Sequence, residues 1–298
     1  MVRRSVTGAL HGCPAHYPAG VPLTPLQQQR LAGWLPGAHI VDDLSWGLID
    51  TCVLHLRTEE GDVIVKAAGP DNPHLARAIN GHEQFTTPWL AEHRVGRLLH
   101  ADRRLNVIVL EYLPGDLADT TPAATDPDVH RQAGALLAAL HGQASRSDDR
   151  YEAAMDARSI RWLDGEHRIE PRTEAPLREV IAGHDRPPAV LVPTHGDWQP
   201  RNWLVEDGRV LVIDLGRADW RPAVTDFARL SRQQWEGRPD LEAAFLDGYG
   251  GDPREAGAWR RALLREAVGT ACWAHSVGDE PLEQQGYRMV EQALAMVP

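Results

Sequence analysis

Lysine is almost absent from this chain: of 31 basic residues among 298, Lys66 alone is a lysine and the other 30 are arginines. Cysteine is nearly as scarce. Cys13, Cys52 and Cys272 lie far apart and are odd in number, which excludes a disulfide framework and a zinc pattern and fits a reducing cytoplasm. No apolar run approaches the roughly 18 residues of a membrane span, so no membrane partner is expected. The opening "MVRRSVTGALHGCPAH" has two arginines but no continuous apolar core, and is not read as a signal peptide. Its Leu10-His11-Gly12-Cys13 is only faintly like a lipoprotein cleavage box, and His11 and the short apolar stretch argue against one. There is no internal repeat and no low-complexity segment. Positive charge is in deficit overall, with a net charge of −11, which argues against a nucleic-acid partner. The deficit is local: residues 1–110 hold ten acids and ten bases, whereas residues 111–298 hold 32 acids and 21 bases.

What is present is ordinary in bulk, with 43% hydrophobic and 24% charged residues, as in a soluble globular protein. Residues 1–23, rich in Gly, Pro and His without periodicity, read as an irregular arm. "LTPLQQQRLAGWL" predicts a short helix with Thr24 as N-cap and Pro25 at its first position. Three strands follow in "HIVDDLSW", "DTCVLHLRT" and "DVIVKAA", the last two joined by the hairpin signal "EEGD". A helix is predicted from His74 to Glu92, weakened by Gly81 and Pro88, and then a strand in "RLNVIVLEYL", ended by Pro114-Gly115.

After "LPGDLADTTPAATDPD" the character changes. "VHRQAGALLAALHGQ" is an amphipathic helix, and Tyr151–Gly183 is helical but cut by Gly165 and Pro171. "AVLVPTHGD", "NWLVED" and "RVLVIDLG" are short strands, with Asp207-Gly208 as a hairpin turn, and from Ala223 onward the chain reads as helix. The pattern predicts an α+β, bilobal molecule: a small antiparallel-sheet N-lobe, a hinge near residue 113, and a larger, mainly helical C-lobe.

The chemistry sits in "HGDWQPRN", residues 195–202, where Asp197 is followed five residues later by Asn202, and in "VIDLG", where Asp214 ends a strand. This spacing fits phosphoryl transfer. One carboxylate orients the attacking hydroxyl and takes its proton, while an amide and a second carboxylate hold magnesium against nucleotide phosphates. The run "HGDWQPRNWLV", "VLVIDLGRA", "DFARL" resembles the aminoglycoside phosphotransferase family, the small-molecule branch of the protein-kinase-like fold. With the order of lobes, the strand-borne lysine and the Pro-Gly hinge, the resemblance extends over about residues 35–275.

By that resemblance Asp197 is the catalytic base, Asn202 and Asp214 are the magnesium ligands, and Asp226 braces the catalytic loop. It also implies that residues 1–110 are an arm plus a nucleotide-binding lobe, and that 111–298 carry the hinge and the catalytic and acceptor-binding lobe. Lys66 is then the third-strand lysine that reaches the α- and β-phosphates of ATP, with GTP as the open alternative. A compact ammonium with three rotatable donors suits that task, whereas a planar, longer guanidinium would displace the phosphates. The resemblance implies a glutamate partner on the following helix. Glu83 is the choice, with Ala78 standing at a position where a kinase-like helix places such a glutamate and Glu92 as the other candidate. Glu111-Tyr112-Leu113 matches the hinge, where the backbone of Glu111 and Leu113 would bond adenine.

Simpler readings stand beside these. Asp197 and Asn202 alone could be an Asx-type loop, Glu83 a solvated carboxylate, Arg217 a cover for its lobe and His195 a packed histidine. "LSWGLID" is placed as the phosphate-covering hairpin on the single Gly47. Gln199 stands where protein kinases carry a lysine, and Asp-Phe-Gly and Ala-Pro-Glu segments are missing, so the acceptor is expected to be a small hydroxylated molecule. Aminoglycoside-type or other amino-sugar compounds come first, and a choline- or homoserine-like metabolite or a non-catalytic nucleotide-binding role are the alternatives. The acidity of 111–298 suggests a cationic acceptor, with Glu266, Asp247 and Trp273 as its candidate contacts. The protein is expected to be a cytoplasmic monomer or dimer, serving either resistance or metabolism.

Overall fold

In the computed structural model, which describes residues 8–9, 23–45 and 50–296, the chain is α+β, with an antiparallel sheet in its N-terminal region and mainly helices in its C-terminal region. It divides into two units: Met1–Thr121 with Pro200–Ala218, and Pro122–Gln199 with Asp219–Pro298. The boundary expected between residues 110 and 111 is one of function. The units follow packing instead, and they return the segment carrying Asn202 and Asp214 to the first unit.

The first unit contains β1 (Gly8–Ala9), α1 (Pro25–Trp34), β2 (His39–Asp43), β3 (Thr51–Thr58), β4 (Gly61–Ala68), α2 (Pro73–Gln84), α3 (Thr87–Leu90), β5 (Leu98–Asp102) and β6 (Val107–Glu111). The strands form an antiparallel sheet in the order β1-β2-β3-β4-β6-β5. Thr24 caps α1 as expected, in a capping box with Gln27. Buried Gln27 also donates to the carbonyls of Ala68 and Leu105, which fixes the helix to the sheet.

Period-two alternation sorts the sheet's faces. Leu54, Leu56, Val63, Val65, Val107 and Val109 join Leu31 and Leu35 in one core. Ile108 and Leu110 pack with Ala78, Ile79 and Ile64 on the other face. Lys66 follows Ile64 by two residues and pairs with Val53 and Ile108, so alternation sets it on the face that α2 covers.

The predicted helix over 74–92 is in fact two, broken at Phe85-Thr86 just ahead of Pro88. Gly81 does not end the helix. A Cβ there would stand 2.9 Å from the Ala218 Cβ and 3.0 Å from the Leu215 Cβ, so glycine permits close packing against the segment after Asp214. Strand β5 has no counterpart in the sequence reading, because an edge strand of alternating half-buried and exposed Leu, His, Ala and Asp gives a weak pattern. The expected arm, apart from β1, and the turn at Gly47 lie outside the described residues. The same unit holds a small sheet of β11 (Arg209–Val212), β10 (Trp203–Glu206) and β7 (Asp116–Leu117), with the Asp207-Gly208 turn joining β10 and β11.

The second unit has helices α4 (Pro127–His141), α5 (Tyr151–Leu163), α6 (Pro171–Ala182), α7 (Ala228–Arg232), α8 (Pro239–Tyr249), α9 (Ala256–Val277) and α10 (Glu280–Leu294). Its sheet is β12 (Asp219–Arg221), β9 (Ala189–Thr194) and β8 (Arg146–Asp148). Helices α4 and α8 meet backbone to backbone: a Cβ at Gly134 would overlap the Phe245 carbonyl, and one at Gly248 the Arg131 carbonyl. Leu163, Leu177, Ile181, Leu264, Val268 and Met289 form the core of α5, α6, α9 and α10.

Candidate active site

In the first unit, the Lys66 ammonium donates to Asp214 Oδ1 at 2.9 Å. Asp214 follows β11 and takes φ = 66°, the left-handed region that is costly for most side chains but reached more readily by Asp and Asn. The strained turn directs the carboxylate back, where the Gly216 amide donates to it at 3.3 Å. His74 Nδ1, near the start of α2, lies 3.0 Å from the Gly216 carbonyl and secures the same turn. Asn202 is buried in the 3₁₀ turn Pro200–Asn202, and its carbonyl accepts from the Ile213 amide at 3.1 Å, so the two expected magnesium ligands are joined through the backbone.

This donor set fits magnesium. Asn202 and Asp214 offer hard oxygens, and magnesium held by two such ligands would complete its shell with phosphates and water.

Glu83 is not the partner of Lys66. Its carboxylate pairs with Arg103 at 2.6 Å, next to the bond from Arg103 to Asn80. Glu83 and Asn80 are one helical turn apart and address Arg103, which follows the edge strand β5. Glu92 pairs with Arg94 at 3.6 Å, and Ala78 is buried in the helix–sheet core.

At the segment expected to be the hinge, Glu111 is engaged. Its amide donates to the Arg97 carbonyl at 2.9 Å, and its side chain accepts from the Arg97 guanidinium at 3.1 and 3.3 Å. Burial pushes the Glu111 carboxyl up, but the bonds from Arg97 outweigh it and leave it below the usual carboxylate value. Tyr112 stacks on His55 and donates its amide to the Asp62 carbonyl at 3.4 Å. Leu113 follows it and, together with Glu111, Glu206, Asp207 and Arg209, lines a concavity of about 280 Å³; neither Lys66 nor Asp214 lines it.

In the second unit, Asp197 is 7% exposed and lies in the loop that leaves β9. Asp226 fixes that loop by accepting from the His195 amide at 2.9 Å and the Gly196 amide at 2.6 Å. His141 Nε2 lies 3.1 Å from the same carboxylate, and His141 Nδ1 is 2.9 Å from the Tyr249 hydroxyl. Burial pushes the Asp226 carboxyl up, but His141 and the Gly196 amide prevail and hold it below its ordinary value. His195 is fully buried and packs edge-on against Trp198.

Asp197 Oδ1 accepts from Gln199 Nε2 at 2.5 Å and from Arg229 Nη1. Arg229 binds Glu266 Oε1 through Nε at 2.9 Å and Nη2 at 2.6 Å. Burial lowers the Arg229 guanidinium, but Glu266 and Asp197 outweigh it, so its pKa lies above the ordinary value.

Of the three expected acceptor contacts, Glu266 is therefore tied to the base through Arg229. Trp273 lies seven residues further along α9, about 10 Å up the same side of the helix. Asp247 is elsewhere, paired with Arg131 of α4 at 3.1 Å. The sequence reading missed Arg229. Its signal was its place in "DFARL", three residues after the bracing Asp226.

The strand-borne lysine bonded to a left-handed aspartate, together with the braced His-Gly-Asp loop, defines a protein-kinase-like phosphotransferase. The pattern of the phosphotransferase enzyme family, APH, matches residues 43–264, and the chain belongs to that family. No curated protein matches it significantly.

Among solved structures, it resembles a macrolide 2'-phosphotransferase, MphH, from Brachybacterium faecium, at 21% identity and a TM-score of 0.56, over 81% of this chain and 89% of that one. It also resembles aminoglycoside phosphotransferase APH(4)-Ia, solved as a thermostable mutant with ADP and hygromycin B, at 13% identity and TM-score 0.68, over 90% and 98% of the two chains. Choline kinase LicA from Streptococcus pneumoniae matches at 13% identity and TM-score 0.63, over 91% and 98%. At these identities the likeness is one of fold.

Proposed function

We propose that this chain is an ATP-dependent kinase that phosphorylates a hydroxyl of a small molecule, with aminoglycoside-type or other amino-sugar compounds as the first candidates. The observation that carries the reading is the Lys66–Asp214 pair, held on a left-handed turn within a chain of the phosphotransferase family. Solved relatives of the same fold hold ADP with hygromycin B, or are described as choline kinases.

Bound magnesium nucleotide supplies the phosphoryl group and the charge neutralisation for its transfer. The residues of this chain do the rest. Lys66 would exchange Asp214 for phosphate oxygens, Asn202 and Asp214 would hold the ion, and the Leu113 backbone would receive the base. Asp197 orients the acceptor hydroxyl and takes its proton as the oxygen bonds to phosphorus and the bond to the departing nucleoside diphosphate breaks.

The test is ADP release from magnesium ATP with hygromycin B, choline and a macrolide, in wild type and Asp197→Asn. Acceptor-stimulated release that the variant lacks supports the reading. Release independent of every acceptor, and equal in the variant, defeats it.

A cationic acceptor is the finer part of the proposal. It rests on the 32 acids against 21 bases of residues 111–298, since Glu266 and Asp247 already hold arginines. If it is right, the acceptor KM rises with ionic strength at saturating nucleotide, and a KM insensitive to salt rules it out. We place the enzyme in the cytoplasm, as a monomer or dimer. No helix among the described residues is long and apolar enough to cross a membrane.

A further inference from the structure

The unit that carries Asp197 contains a charge relay that the phosphotransferase reading does not use. The Arg229 guanidinium stands between two carboxylates, giving Nη1 to Asp197 Oδ1, and Nε and Nη2 to Glu266 Oε1. Side-chain exposure is 8% for Asp197, 16% for Arg229 and 27% for Glu266, so the three are largely shielded from water. The ends of the relay are anchored. Arg229 is the second residue of α7 and lies three residues after Asp226, which grips the His195 and Gly196 amides, so one short segment holds both the loop backbone and its carboxylate. Glu266 sits in the middle of the 22-residue α9 and accepts from the Thr270 hydroxyl at 3.4 Å.

We propose that Arg229, steadied by Glu266, is the positioning residue that presents Asp197 to the acceptor hydroxyl. The proposal rests on the reading of Asp197 as the base. With Arg229 and Gln199 both donating to Oδ1, the carboxylate is fixed about its terminal torsion, so no orientational freedom is lost when the hydroxyl arrives. Glu266 has the complementary task. An unrestrained guanidinium closes on a carboxylate in a two-pronged pair that engages both oxygens. Glu266 occupies Nε and Nη2, the two-pronged edge of Arg229, and leaves Nη1 for Asp197. One positive charge between two negative ones also leaves the group anionic overall, as a base needs. A lysine could not reproduce this, because its single ammonium has no planar fork with which to hold two carboxylates from different edges.

The experiment is a mutant cycle. Arg229→Met, Arg229→Lys and Glu266→Gln are each made in wild type and in Asp197→Asn. kcat and KM for ADP release are measured with whichever of hygromycin B, choline or a macrolide turns over fastest, or with water as acceptor if none does. Nucleotide affinity and the thermal midpoint are recorded for every variant.

In the wild-type background Arg229→Met should lower kcat about 10- to 100-fold, the range for residues that orient a reacting group, with nucleotide affinity within about twofold. Arg229→Lys should recover little of it. In the Asp197→Asn background the same changes should cost no more than about twofold, because the group they position is gone. Equal losses in both backgrounds, or an Arg229→Met enzyme with wild-type kcat, overturn the proposal. If Arg229→Met does not fold, the Glu266→Gln cycle decides, with a smaller loss that must also vanish in Asp197→Asn. Failure of the underlying reading has a different signature: Asp197→Asn alone would turn over like wild type.

Discussion

Asp214 and Asp197 are the two carboxylates to which we assign the chemistry, and the two units hold them by different means. Asp214 is bonded by Lys66 on a side chain 47% exposed, at a turn whose backbone is strained. Asp197 is bonded by Arg229 with only 8% of its side chain exposed, and the arginine is itself fixed by Glu266. The Lys66 side chain is itself only 14% exposed, but its partner opens to water, so an ammonium that moves to phosphate oxygens, as we propose, leaves behind a carboxylate that water can solvate. A shielded guanidinium between two carboxylates is costly to disturb, because either carboxylate left behind would be an uncompensated charge. The first arrangement suits exchange of partners and the second suits permanence. This is a physical reason for a chain of 30 arginines to keep one lysine, and to keep it at position 66.

The sharpest way to break this comparison is to remove the base. Asp197→Asn retains shape but not basicity, and should lower kcat by about 10²- to 10⁴-fold while nucleotide affinity, measured by titration calorimetry, hardly changes. Asp214→Ala should instead abolish magnesium-dependent nucleotide binding, and equal effects of the two on affinity would contradict the division of roles. Next comes Lys66→Arg, which keeps the charge and changes its shape. Turnover should fall by about 100-fold with the thermal midpoint unchanged, and near wild-type turnover would show that the lysine's compactness is not what matters.

The local signals in the sequence were sound. The Thr24-Pro25 helix start, the hairpin turns at Glu59-Glu60 and Asp207-Gly208, and the 195–214 run can be read because each depends on neighbours in the chain. What was illegible depends on distance. The rotation of α2 that sends Glu83 to Arg103 is set by Leu75, Ala78, Ile79 and Gly81 packing inward, and not by any spacing from Lys66. Glu266 was read as a contact for a cation, and it does hold one, but the cation is Arg229, 37 residues away. The left-handed turn at Asp214 also gave no sign, since an aspartate enters that region without a glycine to mark it.

A smaller effect, on stability, sharpens the comparison from the side of the second unit. Asp226 is held below its ordinary carboxylate pKa by His141 and the Gly196 amide despite complete burial. A depressed carboxyl adds stability that is fully present above its unfolded value of about 4, and that is lost as pH falls through the folded value. The thermal midpoint of the wild type should therefore drop on acidification below about pH 4. Asp226→Asn should lower it at neutral pH by removing a partner from a buried network, a loss of about 3–5 kcal/mol, and flatten the acid limb. An acid limb that is unchanged in the variant would assign the pH dependence to other carboxylates.

The smallest expected effect is at Glu83, and it tests whether the structure or the family resemblance is the better guide to Lys66. The resemblance makes Glu83 the anchor of the lysine, whereas the structure pairs it with Arg103, both side chains being about half exposed, at 46% and 47%. A surface pair of this kind contributes about 0–1 kcal/mol, and it lies on the edge-strand side of α2 with Asn80. Glu83→Gln should therefore leave kcat and nucleotide KM within about twofold of wild type, since neither Lys66 nor Asp214 loses a bond. Rising salt should weaken the Arg103 pair, and kcat at saturating acceptor and fixed magnesium should stay unchanged in Glu83→Gln relative to wild type across an ionic-strength series. A loss of kcat in Glu83→Gln approaching that of Lys66→Arg would mean that α2 turns during the reaction cycle and brings Glu83 to the lysine. Asp214 would then be only the resting partner of Lys66.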